Sequence, residues 1–197
     1  MTQDATGPAP PLGQQRLALV VRPPPELLRA VAARTARPEV AVRLPPVSDP
    51  HLTLLYTPCR LIDPRRFRQA VGLLRTALPL AIRYEGVRVS DHLTVQLLVH
   101  PPDVIRALHI RTLDALDLAQ YAAGPPSARM EAFDTTNVGA TFSPHVTLAR
   151  FTVRVQAEAA AFRFTDLPPA EQWVSEIWIA DATARLDHRL AVRPRTS

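Results

Sequence analysis

The chain contains two short segments that read almost identically, Pro50–Leu54 (PHLTL) and Pro144–Leu148 (PHVTL). In each segment a histidine is followed two residues later by a threonine, and the residues after both of them are apolar. This alternation is typical of a β-strand, in which residues i and i+2 point to the same face. Each half of the chain is therefore expected to contain a strand that presents histidine and threonine on one face and is anchored in the core by the other.

The chemistry available to these segments depends on whether the two strands are neighbours. If they lie side by side, His51, Thr53, His145 and Thr147 line one groove. One imidazole can then take a proton from water while the other gives a proton to a departing ribose oxygen, because histidine has a pKa near working pH. The threonine hydroxyls can donate hydrogen bonds to the non-bridging phosphate oxygens, where negative charge must be held. The set suits in-line phosphoryl transfer and requires no metal.

A third His-x-Thr occurs at His92, but its context differs from that of the other two. It follows Ser90-Asp91 rather than a proline, and it falls between two predicted strands. We therefore interpret His92 as a turn or surface residue. The remaining histidines lack a matched threonine and are expected to be structural or solvent-exposed: His100, His109 and His188.

Periodicity and prolines predict the other elements. Asp63-Pro64 is a strong helix start, because an N-cap residue precedes a proline at the first helical position. Residues 121–141 show no clear periodicity and are expected to form a long loop. Strands are predicted at 17–21, 51–56, 80–89, 93–99, 145–153, 174–180 and 186–192, with a turn near Thr183, and helices at 25–36, 64–78 and 102–116. This mixed order, without regular βαβ alternation, predicts an α+β domain.

Length and composition limit the class of protein. The 197 residues suit one domain, with residues 1–14 expected to be a disordered tail and 15–197 one bilobal domain. No stretch approaches the roughly 20 apolar residues that span a bilayer, and no signal core opens the chain. The single cysteine, Cys59, allows no internal disulfide and argues against a thiolate zinc site. A cytoplasmic protein is expected.

The chain carries a net charge of +5, and all 23 of its basic residues are arginine. The guanidinium fork matches phosphate oxygens in a bidentate way, so the bias is compatible with phosphate recognition. Codon bias in a GC-rich genome explains the absence of lysine more simply. The positive balance nevertheless permits an anionic partner.

The paired motifs resemble those of the 2H phosphoesterase superfamily, and the segment 142–150 (FSPHVTLAR) resembles its RNA 2′,3′-cyclic phosphodiesterase branch, often called 2′-5′ RNA ligase-like. The resemblance implies a bilobal, pseudo-twofold α+β fold in which two antiparallel sheets flank a central groove and the helices lie outside. It implies that His51 is the general acid, that His145 is the general base and that Arg150 binds the phosphate or the nucleotide. Tyr56 occupies a position where the family often has phenylalanine, which implies base stacking there.

The sequence therefore predicts a hydrolase without metal or cofactor that opens 2′,3′-cyclic phosphates on RNA ends or small nucleotides to 2′-phosphates. A monomer with no membrane partner is expected. Alternatives are cleavage or ligation of 2′-5′ linkages in RNA or a signalling nucleotide, and an RNA-binding module without turnover. Intact histidines and threonines in both motifs argue against the binding module. A histidine metal site ranks last, because no carboxylate or cysteine lies at ligand spacing near His51 or His145.

Overall fold

The two motif strands lie at the centre of the sheet in the computed structural model, which describes residues 16–35, 50–133, 135–181 and 190–192. The strands within these ranges are β1 (Arg16–Val21), β2 (Leu52–Pro58), β3 (Leu80–Val89), β4 (Thr94–His100), β5 (His145–Arg150), β6 (Ala170–Val174), β7 (Ile177–Asp181) and β8 (Leu190–Val192). They form one antiparallel sheet in the order β6-β3-β4-β5-β2-β1-β7-β8. The first motif leads into β2 and the second begins β5, so the motif strands are neighbours.

The sheet has an approximate twofold relation about the junction of β2 and β5. Four strands lie on each side of this junction, and a motif strand is the innermost strand of each half. The halves are joined at the pair of Leu52 with Val146. The two sheets implied by the family resemblance are thus two halves of one continuous sheet, and the bilobal α+β architecture is confirmed.

Helices cover the sheet, and their starts follow from local sequence. They are α1 (Pro25–Thr35), α2 (Pro64–Ala77), α3 (Pro102–Ala115), α4 (Ala119–Ala123), α5 (Pro126–Phe133) and α6 (Arg154–Phe162). The predicted start of α2 is confirmed, because the Asp63 carboxylate accepts hydrogen bonds from the backbone N–H groups of Arg65 and Arg66 at 2.7 and 3.1 Å. Such a cap satisfies N–H groups that have no partner inside the helix.

The core lies on the face of the sheet opposite the histidines. The apolar residues that alternate with them in the motifs, Leu52, Leu54, Val146 and Leu148, are buried and belong to one cluster that continues under the helices. Burying such side chains contributes about 1.5–3 kcal/mol each. The alternation of polar and apolar residues in each motif therefore determines which face of the strand is buried and which face remains open.

The prediction of a long loop over 121–141 is wrong. The segment contains the end of α4, all of α5 and a short 3₁₀ helix at Gly139–Thr141. The helix α5 begins with Pro126 and buries Ala132 and Phe133 at its last turn. A helix with so few buried positions leaves no 3.6-residue apolar pattern to detect.

Other elements also differ from the sequence prediction. The helix α6 was not predicted, because its buried residues are the small Ala157 and Ala160. The strand expected at 174–180 begins only at Ile177, as β7, and the strand β6 at Ala170–Val174 was not predicted. The strand expected at 145–153 ends at 150, before α6. The expected tail at 1–14 and the turn near Thr183 lie outside the described residues.

Of the helices that the structure describes, none combines the length and the apolar character that a membrane crossing needs.

Candidate active site

The junction of β2 and β5 brings the two motifs together. Leu52 on β2 pairs with Val146 on β5. When this antiparallel register is continued by one residue in each direction, His51 lies opposite Thr147 and Thr53 lies opposite His145. Directly opposite residues share a face of the sheet. All four motif side chains are half-buried, in contrast to the fully buried Leu52. Each histidine therefore lies beside the threonine of the other motif.

A β-bulge directly after the first motif decides where Tyr56 lies. The pairing of β1 with β2 skips Leu54, so that Val20 pairs with Thr53 and Ala18 pairs with Tyr56. Val20 and Ala18 are two residues apart on β1 and share a face. The bulge thus brings Tyr56 to the face of Thr53, which strict alternation along β2 would not do.

A second bulge occupies the equivalent place on β5. The pairing of β4 with β5 skips Leu148, so that Gln96 pairs with Thr147 and Thr94 pairs with Arg150. By the same argument, the bulge brings Arg150 to the face of Thr147. The two bulges follow the twofold relation of the sheet and place a fifth and a sixth side chain on the groove face, one from each half.

The imidazole of His145 is held by a backbone hydrogen bond. Its Nδ1 lies 2.8 Å from the carbonyl oxygen of Ser143, and because a carbonyl only accepts, Nδ1 carries the proton. Burial lowers the pKa of His145, as do the nearby charges of Arg88 and Arg150, while the bond to Ser143 opposes this change. The neutral ring with a free electron pair on Nε2 is therefore favoured, which is the form a general base needs.

Ser143 is itself fixed from two directions. Its N–H donates to the side-chain oxygen of Asn137 at 2.7 Å, and the Asn137 amide donates back to the Ser143 carbonyl at 3.4 Å. The guanidinium of Arg88 donates to the Ser143 hydroxyl at 2.8 Å. These bonds fix the carbonyl that in turn orients His145.

Arg88 is a site residue that the sequence did not reveal. Its Nε donates to the Gln96 side chain at 2.9 Å. Gln96 pairs with Arg88 on one side and with Thr147 on the other, so all three share the groove face. The Gln96 amide also donates to the Thr94 hydroxyl at 3.0 Å. Only the register of three strands identifies this arginine, because nothing in the local sequence distinguishes it from other strand arginines.

His109 connects the two motifs from behind the sheet. Its Nδ1 donates to the carbonyl of Leu54 on β2 at 2.7 Å, and its Nε2 accepts from the N–H of Gly139 at 2.9 Å. The ring stacks on Phe142 with centroids 4.1 Å apart. Burial lowers the pKa of His109 to about 4, so the ring stays neutral. The structural role expected for this histidine is confirmed.

An aromatic pair lies on the β1 side of the groove face. Tyr56 and Trp178 are partly buried against two small residues of β1. The guanidinium of Arg16 lies 5.4 Å from the Tyr56 ring centre, and that of Arg22 lies 5.9 Å from the Trp178 ring. Trp178 was not identified from the sequence, where it read only as part of a strand.

The other histidines lie away from the junction or outside the described residues. His92 is exposed in the turn between β3 and β4, as predicted. His100 is half-buried at the end of β4. His188 lies outside the described residues. Across the described ranges, no group of three or more histidine, cysteine, aspartate or glutamate side chains is placed to hold a metal ion.

Comparison with known proteins identifies a matching family and several similar folds. A family model described as the 2′-5′ RNA ligase superfamily matches residues 23–185. The solved structure of Escherichia coli LigT with NADP+ aligns with a TM-score of 0.52 and 19% identity over 90% of this chain and 94% of that chain. A protein described as a phosphoesterase aligns with a TM-score of 0.52 and 20% identity over 92% and 99% of the two chains. The protein TT0787 of Thermus thermophilus gives 0.50 and 17% over 92% and 100%. At these identities the likeness shows the fold alone, and no curated protein matches the chain.

Proposed function

The chain belongs to the 2′-5′ RNA ligase superfamily of 2H phosphoesterases, and from this premise we propose that it hydrolyses 2′,3′-cyclic phosphates on RNA ends or nucleotides to 2′-phosphates. The observation that carries the proposal is the antiparallel pairing of Leu52 on β2 with Val146 on β5, because the same register, continued by one residue, brings each motif histidine beside the threonine of the other motif. A phosphate at this junction has an imidazole and a hydroxyl on either side.

In the proposed reaction, Nε2 of His145 takes a proton from a water molecule, and that water attacks phosphorus. The bond from phosphorus to the ribose 3′ oxygen breaks, and His51 gives its proton to that oxygen. The product carries a 2′-phosphate and a free 3′ hydroxyl. The hydrogen bond from Nδ1 of His145 to Ser143 supports the role of base, because it leaves Nε2 as the proton acceptor.

The remaining groups stabilise the charge on the phosphate. The hydroxyls of Thr53 and Thr147 donate to its non-bridging oxygens, and Arg150 supplies positive charge at the β4–β5 side. The ring of Tyr56 stacks on the base of the reacting nucleotide, on the β1 side of the groove. No metal ion takes part in these steps.

Ligation uses the same residues in the same roles. If a ribose 5′ hydroxyl replaces water, His145 takes its proton, the oxygen attacks phosphorus, the bond to the ribose 3′ oxygen breaks and His51 protonates that oxygen, so that the ends are joined through a 2′-5′ linkage. The description of the matching family names a ligase, which supports including this reaction as a second candidate.

Incubation with a 2′,3′-cyclic mononucleotide, with the product isomers separated by chromatography, tests the proposal. The 2′-phosphate is the expected product, and a protein with both His51→Ala and His145→Ala should yield none. Accumulation of the 3′-phosphate would contradict the assigned leaving group. Failure to open the ring while a 2′-5′-linked dinucleotide is cleaved would favour the alternative substrate.

A further inference from the structure

A pocket of about 370 Å³ opens on the half of the sheet formed by β6, β3 and β4. Its lining includes Arg83, His100, Glu171 and Trp173. None of these four residues belongs to the histidine–threonine site, and neither the family motifs nor the proposed reaction uses them.

The pocket lies on the same face of the sheet as the catalytic histidines. Arg83 pairs with His100 on β4 and with Glu171 on β6, so the three side chains share a face. His100 is two residues from Leu98, which pairs with His145. From a strand rise of about 3.3 Å and a strand spacing of about 4.8 Å, His100 lies about 8 Å from His145, measured between Cα atoms along the sheet. By the same measure, the outer end of the pocket on β6 lies roughly 20 Å away.

Trp173 gives the pocket an open aromatic wall. The residue is on the edge strand β6, and 72% of it is exposed. Tryptophan is among the more buried residue types, so an indole this exposed beside a concavity is unusual. Aromatic side chains on the open face of a sheet are the platforms on which single-stranded nucleic acids stack their bases.

The charges in the pocket favour a neutral, flat ligand over a second phosphate. Arg83 is the cation of the pocket, and it forms an ion pair with Glu85 at 2.6 Å. Glu171 lies directly opposite it on β6. Two carboxylates beside one guanidinium offset its attraction for an anion, but a carboxylate accepts a hydrogen bond from an exocyclic amine of a base.

We propose that this pocket is a subsite for a nucleobase of an RNA strand whose terminal cyclic phosphate lies between His51 and His145, with the base stacked on Trp173 and its amine bound by Glu171. The inference rests on the proposed function. The terminal ribose then lies at the junction of the halves, its own base turns towards Tyr56, and the strand on its 5′ side crosses β4 and β3 to Trp173. The preferred substrate is accordingly an oligonucleotide rather than a mononucleotide.

Kinetics on two substrates test the subsite. The protein is given a short oligonucleotide with a 2′,3′-cyclic phosphate end, or the corresponding cyclic mononucleotide. The oligonucleotide should have the lower KM. Trp173→Ala should raise that KM by about 5- to 150-fold, the loss expected for one stacked base, and leave the KM of the mononucleotide unchanged. Trp173→Phe should retain most of the preference. Phe162→Ala, which removes an aromatic that is 78% exposed on α6, is the matched control and should change neither value.

A binding measurement separates the subsite from the reaction. The chain has two tryptophans, so in a Trp178→Phe protein the fluorescence reports Trp173 alone. An oligonucleotide ending in a 2′-phosphate should quench it, and a mononucleotide should not. Quenching without turnover of either cyclic substrate would support the subsite and overturn the proposed function. Turnover of both substrates with equal KM and no quenching would overturn the subsite and leave the function standing. An equal rise in the KM of the oligonucleotide and of the mononucleotide for Trp173→Ala would also overturn the subsite.

Discussion

The environment of His145 sets the pH at which it can act as a base. Burial is the main cause of its lowered pKa, and the charges of Arg88 and Arg150 act in the same direction. A base must be neutral, so turnover should persist as the pH falls below the ordinary histidine range, about 6.5, and decline only when the lowered pKa is crossed. The bond to Ser143 acts in the opposite sense, because it stabilises the charged ring.

Removing one of these charges should move the acidic limb of the pH–rate profile. Arg88→Gln removes a positive charge near His145, so the pKa of the imidazole should rise and the limb should shift to higher pH. The measurement is kcat/KM for a cyclic mononucleotide across pH, with Arg65→Gln, an exposed arginine on α2, as the matched control. An unchanged limb would show that Arg88 does not act on the base.

Substitution of the histidines tests their assignment. His51→Ala and His145→Ala should each lower kcat by about 10²–10⁴-fold, the usual cost of losing a general acid or base. Circular dichroism should show an unchanged fold, because both side chains are only half-buried. His92→Ala is the control within the same motif type and should keep near-normal kcat. Loss of turnover in His92→Ala together with an active His51→Ala would show that the acid has been assigned to the wrong motif.

The threonines should matter through their hydroxyls alone. Thr53→Ala or Thr147→Ala removes a hydrogen bond to a charged group, worth about 1.5–3 kcal/mol, and should lower kcat/KM by roughly 10- to 150-fold. Serine keeps the hydroxyl and should restore most of the loss. If serine is as damaging as alanine at either position, the methyl group and its packing are responsible instead.

At the scale of elements, His109 joins α3 to both motif regions, and this contact should make stability depend on pH. Its pKa is about 4 in the folded protein and about 6.5 in an unfolded chain. The unfolded chain therefore binds more protons between these values. The contribution of His109 to the free energy of unfolding is complete above about pH 6.5. It decreases as the pH falls towards 4, by about 3 kcal/mol in total. The lowered pKa of His145 acts in the same direction, so the pH dependence of the wild-type free energy of unfolding contains the contributions of both histidines.

His109→Gln isolates the contribution of this element contact. The variant should be less stable than the wild type at pH 7, because it loses the stacking on Phe142 and one of two hydrogen bonds. Its free energy of unfolding should fall less steeply between pH 6.5 and 4. Urea denaturation at several pH values measures both effects. If the free energy of unfolding depends on pH in the same way in both proteins, protonation of His109 does not cause the loss of stability in acid.

Individual strands and helices show which parts of the fold could be predicted from the sequence and which could not. Alternating apolar residues identified the motif strands, and Asp63 with its following proline identified the start of α2. The helix α6 was missed because it buries alanines rather than large side chains. The bulges at Leu54 and Leu148 were also invisible, since a bulge is a property of two paired strands. Strict alternation would place Arg150 on the face opposite Thr147, so its place on the groove face could come only from the family resemblance.

At the scale of the whole molecule, neither half of the sheet contains a complete site. Each half contributes one histidine and one threonine at the junction, and the twofold relation makes these contributions alike. The surroundings differ: Arg88 and Arg150 lie in the half with β5, whereas Tyr56 and Trp178 lie in the half with β2. The charges of Arg88 and Arg150 lower the pKa of His145, so the two equivalent histidines can take different roles, and in the proposed reaction His145 is the neutral base.

A site assembled in this way from two halves should work without a metal ion. The two imidazoles supply both proton transfers, and the hydroxyls with the arginines stabilise the developing charge. Hydrolysis of a cyclic mononucleotide should therefore show the same kcat/KM before and after dialysis against EDTA, with a metal-dependent phosphodiesterase treated in parallel to prove that chelation was complete. Loss of activity that zinc or manganese restores would move the chemistry to a metal-bound water, and the two histidines would then have to be reassigned as ligands.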